Sequence, residues 1–569
     1  MRLPFRRRIA QQLCVLAFPL SILGACTWLP LVVDMTATAP VLDGYGAVTL
    51  IPSQGNAAAR RLFAQGMAQM YAFNEDEAVR AFKAALAQDP DCAMCAWGVA
   101  LQMGPNINGI ERGDLREAKQ YVGYAVANSN GASERDVALI TSLAVRYGHS
   151  TALAIAPPAD AVCRSPGSGT TADPLDVAYA DRMRELAARF PNDPDVLTMY
   201  AEAEMIATPG EWWDVTNGKA SGRIGELALM LEAGLTRHPS HVGLNHYMIH
   251  AVDAAPVAAR AERAADVLGK LAPKSPHLLH MPSHTYAHLG RYADATRVNQ
   301  QAIDADEALI VELKKQNFVG TRDWRRHNAE FQVYAAVMEG RGDLAVDTAR
   351  ALAGRAKGDH EYGEFMRSLP MITLLNLQRW DALLAEPMPK GEKGLATVMG
   401  EMARGIAMAR SGHLGKARAA FDALKPKADA LLAKHQGQGD GAKMMQSLVH
   451  SARAQLGAEI ALADTRIDDA LKLQTEAVEA AAHVEKSEPP MLANGPRQRL
   501  GWMQLRAKRF AAAEQSFREE LSIHPRNGWS YHGLAAALKA QGKQDEAQKV
   551  DSALADSWPL ADKALRNTL

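Results

Sequence analysis

Four histidines fall within the single stretch HLLHMPSHTYAHLG, residues 277–290: His277, His280, His284 and His288. His246 and His250 precede His280 and His284 by 34 residues each, in the phrase NHYMIH. Both pairs read H-x-x-x-H. Residues four apart share one face of a helix, one turn above each other, so two imidazoles can converge on one ion. Four imidazoles aimed at one spot repel when protonated and pack poorly when neutral, and a shared metal relieves both problems. His246, His250, His280 and His284 are therefore the candidate ligands, expected as one square. An all-imidazole set suits zinc, copper, iron or nickel, and the sequence does not choose among them. The competing reading is a solvated polar surface in which histidines stack on, or hydrogen-bond to, a ligand without a metal.

The second candidate is Cys92-x-x-Cys95 in DPDCAMCAWG. Such a spacing suits a redox pair or half of a soft-metal site. Buried cysteine acting as a small hydrophobe explains it as well, and no second C-x-x-C accompanies it. Cys14 and Cys26 belong to the N-terminal leader, which leaves Cys163 as an odd third thiol. Other catalytic signatures are missing: there is no G-x-S-x-G, Walker A or H-E-x-x-H.

The elements that must carry these residues are helices. The 569-residue chain is 48% hydrophobic and only 6% aromatic, with few β-branched runs. That composition predicts an all-α protein of many short helices. Its 63 basic and 64 acidic side chains give a net charge of −1 without long single-sign blocks. That balance does not suggest nucleic acid or an anionic surface as the main partner, and no nucleic acid is expected.

MRLPFRRR followed by an apolar run ending Leu23-Gly24-Ala25-Cys26 reads as an export signal, residues 1–26. Its end resembles the lipobox of bacterial lipoproteins, with Cys26 the lipidated residue. A plain signal peptide and an uncleaved anchor are the alternatives. The expected location is the periplasm, with contact to the membrane only through a lipid anchor or uncleaved leader. Residues 27–58 read as an extended spacer.

An internal period organises the rest. In residues 59–90, Gly66, Ala78, Phe82, Ala85 and Pro90 stand at positions 8, 20, 24, 27 and 32. Residues 494–525 repeat the frame with Leu500, Gly501, Ala513, Phe517 and Pro525, and residues 528–559 continue it. This pattern resembles the tetratricopeptide repeat (TPR), two antiparallel helices per unit. Small residues let the helices approach, an aromatic fills the gap beside them, and proline ends the second helix. The resemblance implies a solenoid of roughly ten hairpins. It is divided here into an N-terminal array, 59–385, and a C-terminal array, 386–569.

The phrases YAFNEDEAVRAF, DPDCAMCAWGVALQMGPNIN, NHYMIHAVDAAP, HLLHMPSHTYAHLGRYADA, RRHNAEFQVYAAVMEGR and NGWSYHGLAAALKAQGK together resemble one group of bacterial TPR proteins. That group is often exported and mostly without assigned biochemistry. Its members tend to carry histidine after Phe-Asn in the first repeat, where this chain has Glu75. In the TPR frame the histidine pairs occupy positions 5 and 9 of two successive repeats, facing the concave groove. His277 and His327 fall at position 2 of their repeats, Glu202 at position 9 and His288 at position 13. Glu202, His327 and His277 are additional candidate ligands. Asp253, His288 and Tyr286 are candidates for orienting an imidazole or lining the groove.

Two functional classes follow: an exported scaffold that binds a transition metal (zinc, copper or iron) and a peptide, protein or small molecule in its groove, or a metal-dependent enzyme activating water or dioxygen at the same histidines. A metal-free protein-interaction module is the third possibility.

Overall fold

Proline and side-chain caps mark where many of the helices begin. Asn56, Ser133, Asp173, Asp193, Ser275 and Asn527 each accept a hydrogen bond from a backbone N–H in the first turn of the helix they precede. Pro174, Pro194, Pro276 and Pro496 occupy first-turn positions, where a missing N–H costs nothing. The computed structural model describes residues 31–108, 115–149, 172–320, 324–358, 360–391, 393–563 and 565. Cys26 with the rest of the leader, and Cys163, lie outside the described residues.

The described residues form helices and no named strand, with one isolated bridge between Trp213 and Ala220. No helix among them is long and apolar enough to cross a membrane. The helices pair in sequence. Ala57–Tyr71 packs on Glu75–Gln88, Ala93–Gln102 on Arg116–Ala127, Glu134–Arg146 on Pro174–Arg189, and Pro194–Ala207 on Ile224–Arg237. Val242–Ala251 packs on Glu262–Leu271, and the broken helix Pro276–His280 and Pro282–His288 packs on Tyr292–Lys315. Arg325–Met338 pairs with Gly342–Arg355, Glu361–Asn376 with Trp380–Ala385, and Leu395–Arg410 with Leu414–Lys434. Asp440–Ala463 with Ile467–Ala481, Pro496–Arg506 with Phe510–Ile523, and Gly528–Ala540 with Gln544–Ser557 complete the series. The chain is an all-α, TPR-type solenoid of stacked helical hairpins.

The wedge expected at position 24 is present at both ends. Phe82 fills a gap between Gly66 and Gly98, where an added Cβ would come within 2.5 Å of its ring on either side. Phe517 sits likewise between Gly501 and Gly533, at 2.7 and 2.2 Å. Gly98 and Gly533 stand at position 6 of the following repeats, a contact the repeat pattern alone did not show. Each aromatic thus locks its own hairpin to the next.

Two segments cross this stack. Residues 31–56 are extended and lie against the solenoid: the Lys274 N–H donates to Gly44 O at 3.0 Å, and the Ser53 N–H to Asp136 at 2.7 Å. At the other end, the indoles of Trp529 and Trp558 donate to the carbonyls of Val337 and Met338, each at 2.8 Å. One buried apolar core runs from Tyr45 to Ala335, and a second from Tyr292 to Ala561.

Phe82→Ala is expected to cost about 3–5 kcal/mol. Gly66→Ala, which overpacks the same gap, is expected to cost about 1–3 kcal/mol. Urea unfolding followed by far-ultraviolet circular dichroism measures both, and equal stability of Gly66→Ala and wild type would refute the wedge.

Candidate metal centre

The first histidine helix, Val242–Ala251, is anchored at its start. His241 caps it, accepting from the Leu244 N–H through Nδ1 at 3.1 Å, so its Nε2 carries the proton donated to Asp195 at 3.1 Å. Asp195 is buried and also accepts from the hydroxyls of Tyr71 and Thr49. Burial alone would raise this carboxyl, but the three donors hold it below its ordinary value. At the far end of the helix, the Trp213 indole donates to Ala251 O at 2.7 Å. The second histidine helix is interrupted at Met281, because Pro282 has no N–H to continue the ladder. Both pieces remain helical, and the four-residue spacing survives the break.

The expected square is replaced by two triads. His246 Nε2 lies 3.1 Å from both His250 Nε2 and His277 Nε2. His280 Nε2 lies 3.1 Å from His284 Nε2, and the His327 ring centroid is 4.7 Å from that of His280. Ligand atoms of His246, His250 and His277 all fall within 4.8 Å of one another, as do those of His280, His284 and His327. The physical reason is the stagger between neighbouring hairpins. Position 2 of one first helix reaches positions 5 and 9 of the preceding one, before the next pair of positions 5 and 9 can. One rule therefore generates both triads, and it makes His277 and His327 equivalent members.

The same rule shows where the array stops. One repeat upstream, positions 5, 9 and 2 hold Thr198, Glu202 and Gly243; one repeat downstream, positions 5 and 9 hold Glu330 and Tyr334. Glu202 joins neither triad. It accepts from the Tyr247 hydroxyl, and burial pushes its carboxyl up to about 7. Tyr286 also points elsewhere, donating to Asp266 at 2.9 Å under the Arg291 guanidinium. Asp253 does act on the histidines, but on those of the next repeat. Its carboxylate lies 2.7 Å from His284 Nδ1 and 3.2 Å from His288 Nε2.

Several contributors escaped the sequence. Asn299 Oδ1 accepts from His280 Nδ1 at 2.7 Å, and its own amide is oriented by donation to Ala295 O at 2.8 Å. His280 therefore presents an unprotonated Nε2. Glu488 approaches His284 Nδ1 to 3.3 Å. Phe73 packs on His246 and His277 at 4.6 and 4.8 Å, Trp324 covers His277 at 4.3 Å, and Phe331 covers His284 at 4.5 Å. Phe73 holds a left-handed backbone, φ 52°, uncommon for a bulky residue and worth about 1–3 kcal/mol of strain. Its membership of the YAFNEDEA phrase was the sole signal available.

Burial, reinforced by neighbouring imidazoles, pushes His246, His277 and His280 well below the ordinary histidine value and His250 down to about 3. His284 is the exception. Burial opposes its charge, yet the Asp253 and Glu488 carboxylates outweigh burial and raise it to about 10. Two nitrogens bound tetrahedrally at about 2.0–2.1 Å from one ion stand roughly 3.3 Å apart, close to the spacings found here. Each triad could thus hold one metal ion.

Cys92 and Cys95 are buried and joined by a disulfide, which removes both thiolates as ligands.

Fold and site together define a helical-hairpin solenoid that carries paired histidine triads on the first helices of three successive hairpins. No family model matches the chain, and no curated protein matches it. It is similar to the solved structure described as the APC/C hetero-tetramer Cut9–Hcn1, at 12% identity over 90% of this chain and 96% of that chain, with a TM-score of 0.25. It is also similar to yeast Tom70, at 14% identity over 90% and 93%, with a TM-score of 0.27.

For an ion held by His280, His284 and His327, Asp253→Asn is expected to weaken affinity about 10–100-fold. Chelator competition measures this, with the His246 triad as the internal control. An equal loss at both triads would show that Asp253 does not act through His284.

Proposed function

We propose that this protein binds two transition-metal ions, one in the triad of His246, His250 and His277 and one in that of His280, His284 and His327. The observation that carries the reading is the recurrence of three histidines at positions 2, 5 and 9 in two successive steps of the solenoid. Neighbouring packed helices stand ~8–10 Å apart, so the two ions would lie at about that separation. Copper suits the donor set best. It heads the affinity order of divalent ions for nitrogen ligands, and imidazole is among its common donors. Zinc and iron are the alternatives. Stacked hairpins also offer extended surfaces for protein partners.

Elemental analysis of purified protein is expected to give two metal ions per chain. His250→Ala and His284→Ala are each expected to lower this to one, and the double variant to none. No metal in the wild type would overturn the reading, while zinc in place of copper would overturn only the choice of ion.

We also propose export with a lipid anchor at Cys26. The basic and apolar leader supports it, as does the Cys92–Cys95 disulfide, a pairing that persists in oxidising compartments. Palmitate labelling in a bacterial host is expected for the wild type and lost in Cys26→Ser; an unlabelled wild type would dismiss the anchor.

A further inference from the structure

A cavity of about 190 Å³ lies beside the second triad, between the helices Arg325–Met338 and Glu361–Asn376 and the 487–493 loop. Its size exceeds that of an engineered cavity known to take benzene, about 150 Å³. Most of the wall is apolar, with Phe365, Met366 and Met444 among its members. Two carboxylates, Glu330 and Glu488, line it as well, and no lysine, arginine or histidine does so among the described residues.

Those two acids are also what connects the cavity to the histidines. Glu488 lies 3.3 Å from His284 Nδ1, and Glu330 lies 3.9 Å from His327 Nδ1. Glu330 is steadied by the Tyr362 hydroxyl, which donates to it at 2.7 Å. Arg326 approaches Glu330 at 3.6 Å from outside, but its side chain is 62% exposed, and such an exposed pair is weak. Among the described residues His284 is the cationic partner of Glu488, whose side chain is 47% exposed. Carboxylates accept hydrogen bonds and donate none. Tyr334 presents an aromatic ring in the same wall, and such faces attract cations, while the Tyr362 ring already carries the Arg326 guanidinium at 5.1 Å from its centroid.

We infer that this cavity binds a small amphipathic amine, its apolar body among Phe365, Met366 and Met444 and its ammonium head between Glu330 and Glu488, beside the second triad. The inference rests on the metal reading only for what stands at the head-group end; the cavity and its charge belong to the chain itself. The polar head, and not the apolar tail, would face the histidine centre. The thioethers suit such a site because methionine adapts to ligands of varied shape.

Calorimetric titration of the full chain with 2-phenylethylamine, in chelator-treated and copper-loaded forms, tests this. Saturable one-to-one binding is expected in both forms. Glu488→Gln is expected to weaken it about tenfold, the loss of roughly one charge-assisted contact. Met444→Trp, at a half-buried position, is expected to abolish it by filling the cavity. 3-Phenylpropionate, of similar shape but opposite charge, is expected to bind at least about tenfold more weakly. No saturable binding of the amine, equal binding of the acid, or binding indifferent to Met444→Trp would each overturn the proposal. Amine binding in a protein that takes up no copper, zinc or iron would refute the metal reading and leave this one standing.

Discussion

A buried imidazole has two nitrogens and, when neutral, one proton, and both nitrogens need a partner. This requirement governs the centre of the molecule. For His280 the proton is directed to Asn299 and for His284 to Asp253, so the opposite nitrogens are turned toward one another. Packed against Phe331 and buried, those inward nitrogens have little water to turn to. Burial makes protonation costly at four of these positions, as the depressed values of His246, His250, His277 and His280 express. A cation shared among lone pairs satisfies the requirement that protons satisfy poorly.

The solenoid supplies the precision. Its hairpins are set at a constant offset by glycine-flanked aromatics at the ends and by buried polar anchors in the middle. Asp195 ties the start of the first histidine helix to Tyr71 in the first hairpin and Thr49 in the extended segment. Because successive first helices are related by nearly the same step, a ligand pattern written twice in sequence becomes a site built twice in space. The two copies nonetheless have different surroundings. Asp253 and Glu488 approach the second, and their charge raises His284 above its ordinary value where burial lowers His250, its counterpart in the first.

Much of the fold was legible because its signals are local. Gly66 with Phe82, and Gly501 with Phe517, follow from helix packing within one hairpin, and Pro90 and Pro525 close their repeats. The paired spacing of His246 with His250 and of His280 with His284 was legible for the same reason, even across the break at Pro282. What misled was the step from one helix to the next. A square of four assumes that equal positions on adjacent helices face each other, whereas the stagger sets position 2 opposite positions 5 and 9. Tyr286 shows the same limit, since its hydroxyl turns to Asp266 on the partner helix of its neighbour.

The sequence by itself determined an all-α repeat architecture, the frame of 34 residues and the two H-x-x-x-H faces. These depend on helical periodicity, which nearby residues set. Tertiary structure alone decided that His277 and His327 complete two triads, and that Phe73, Asn299 and Glu488 surround them. Residues 73 and 488 lie far apart along the chain, and only the stacking of hairpins and the return of the 487–493 loop bring them to one centre.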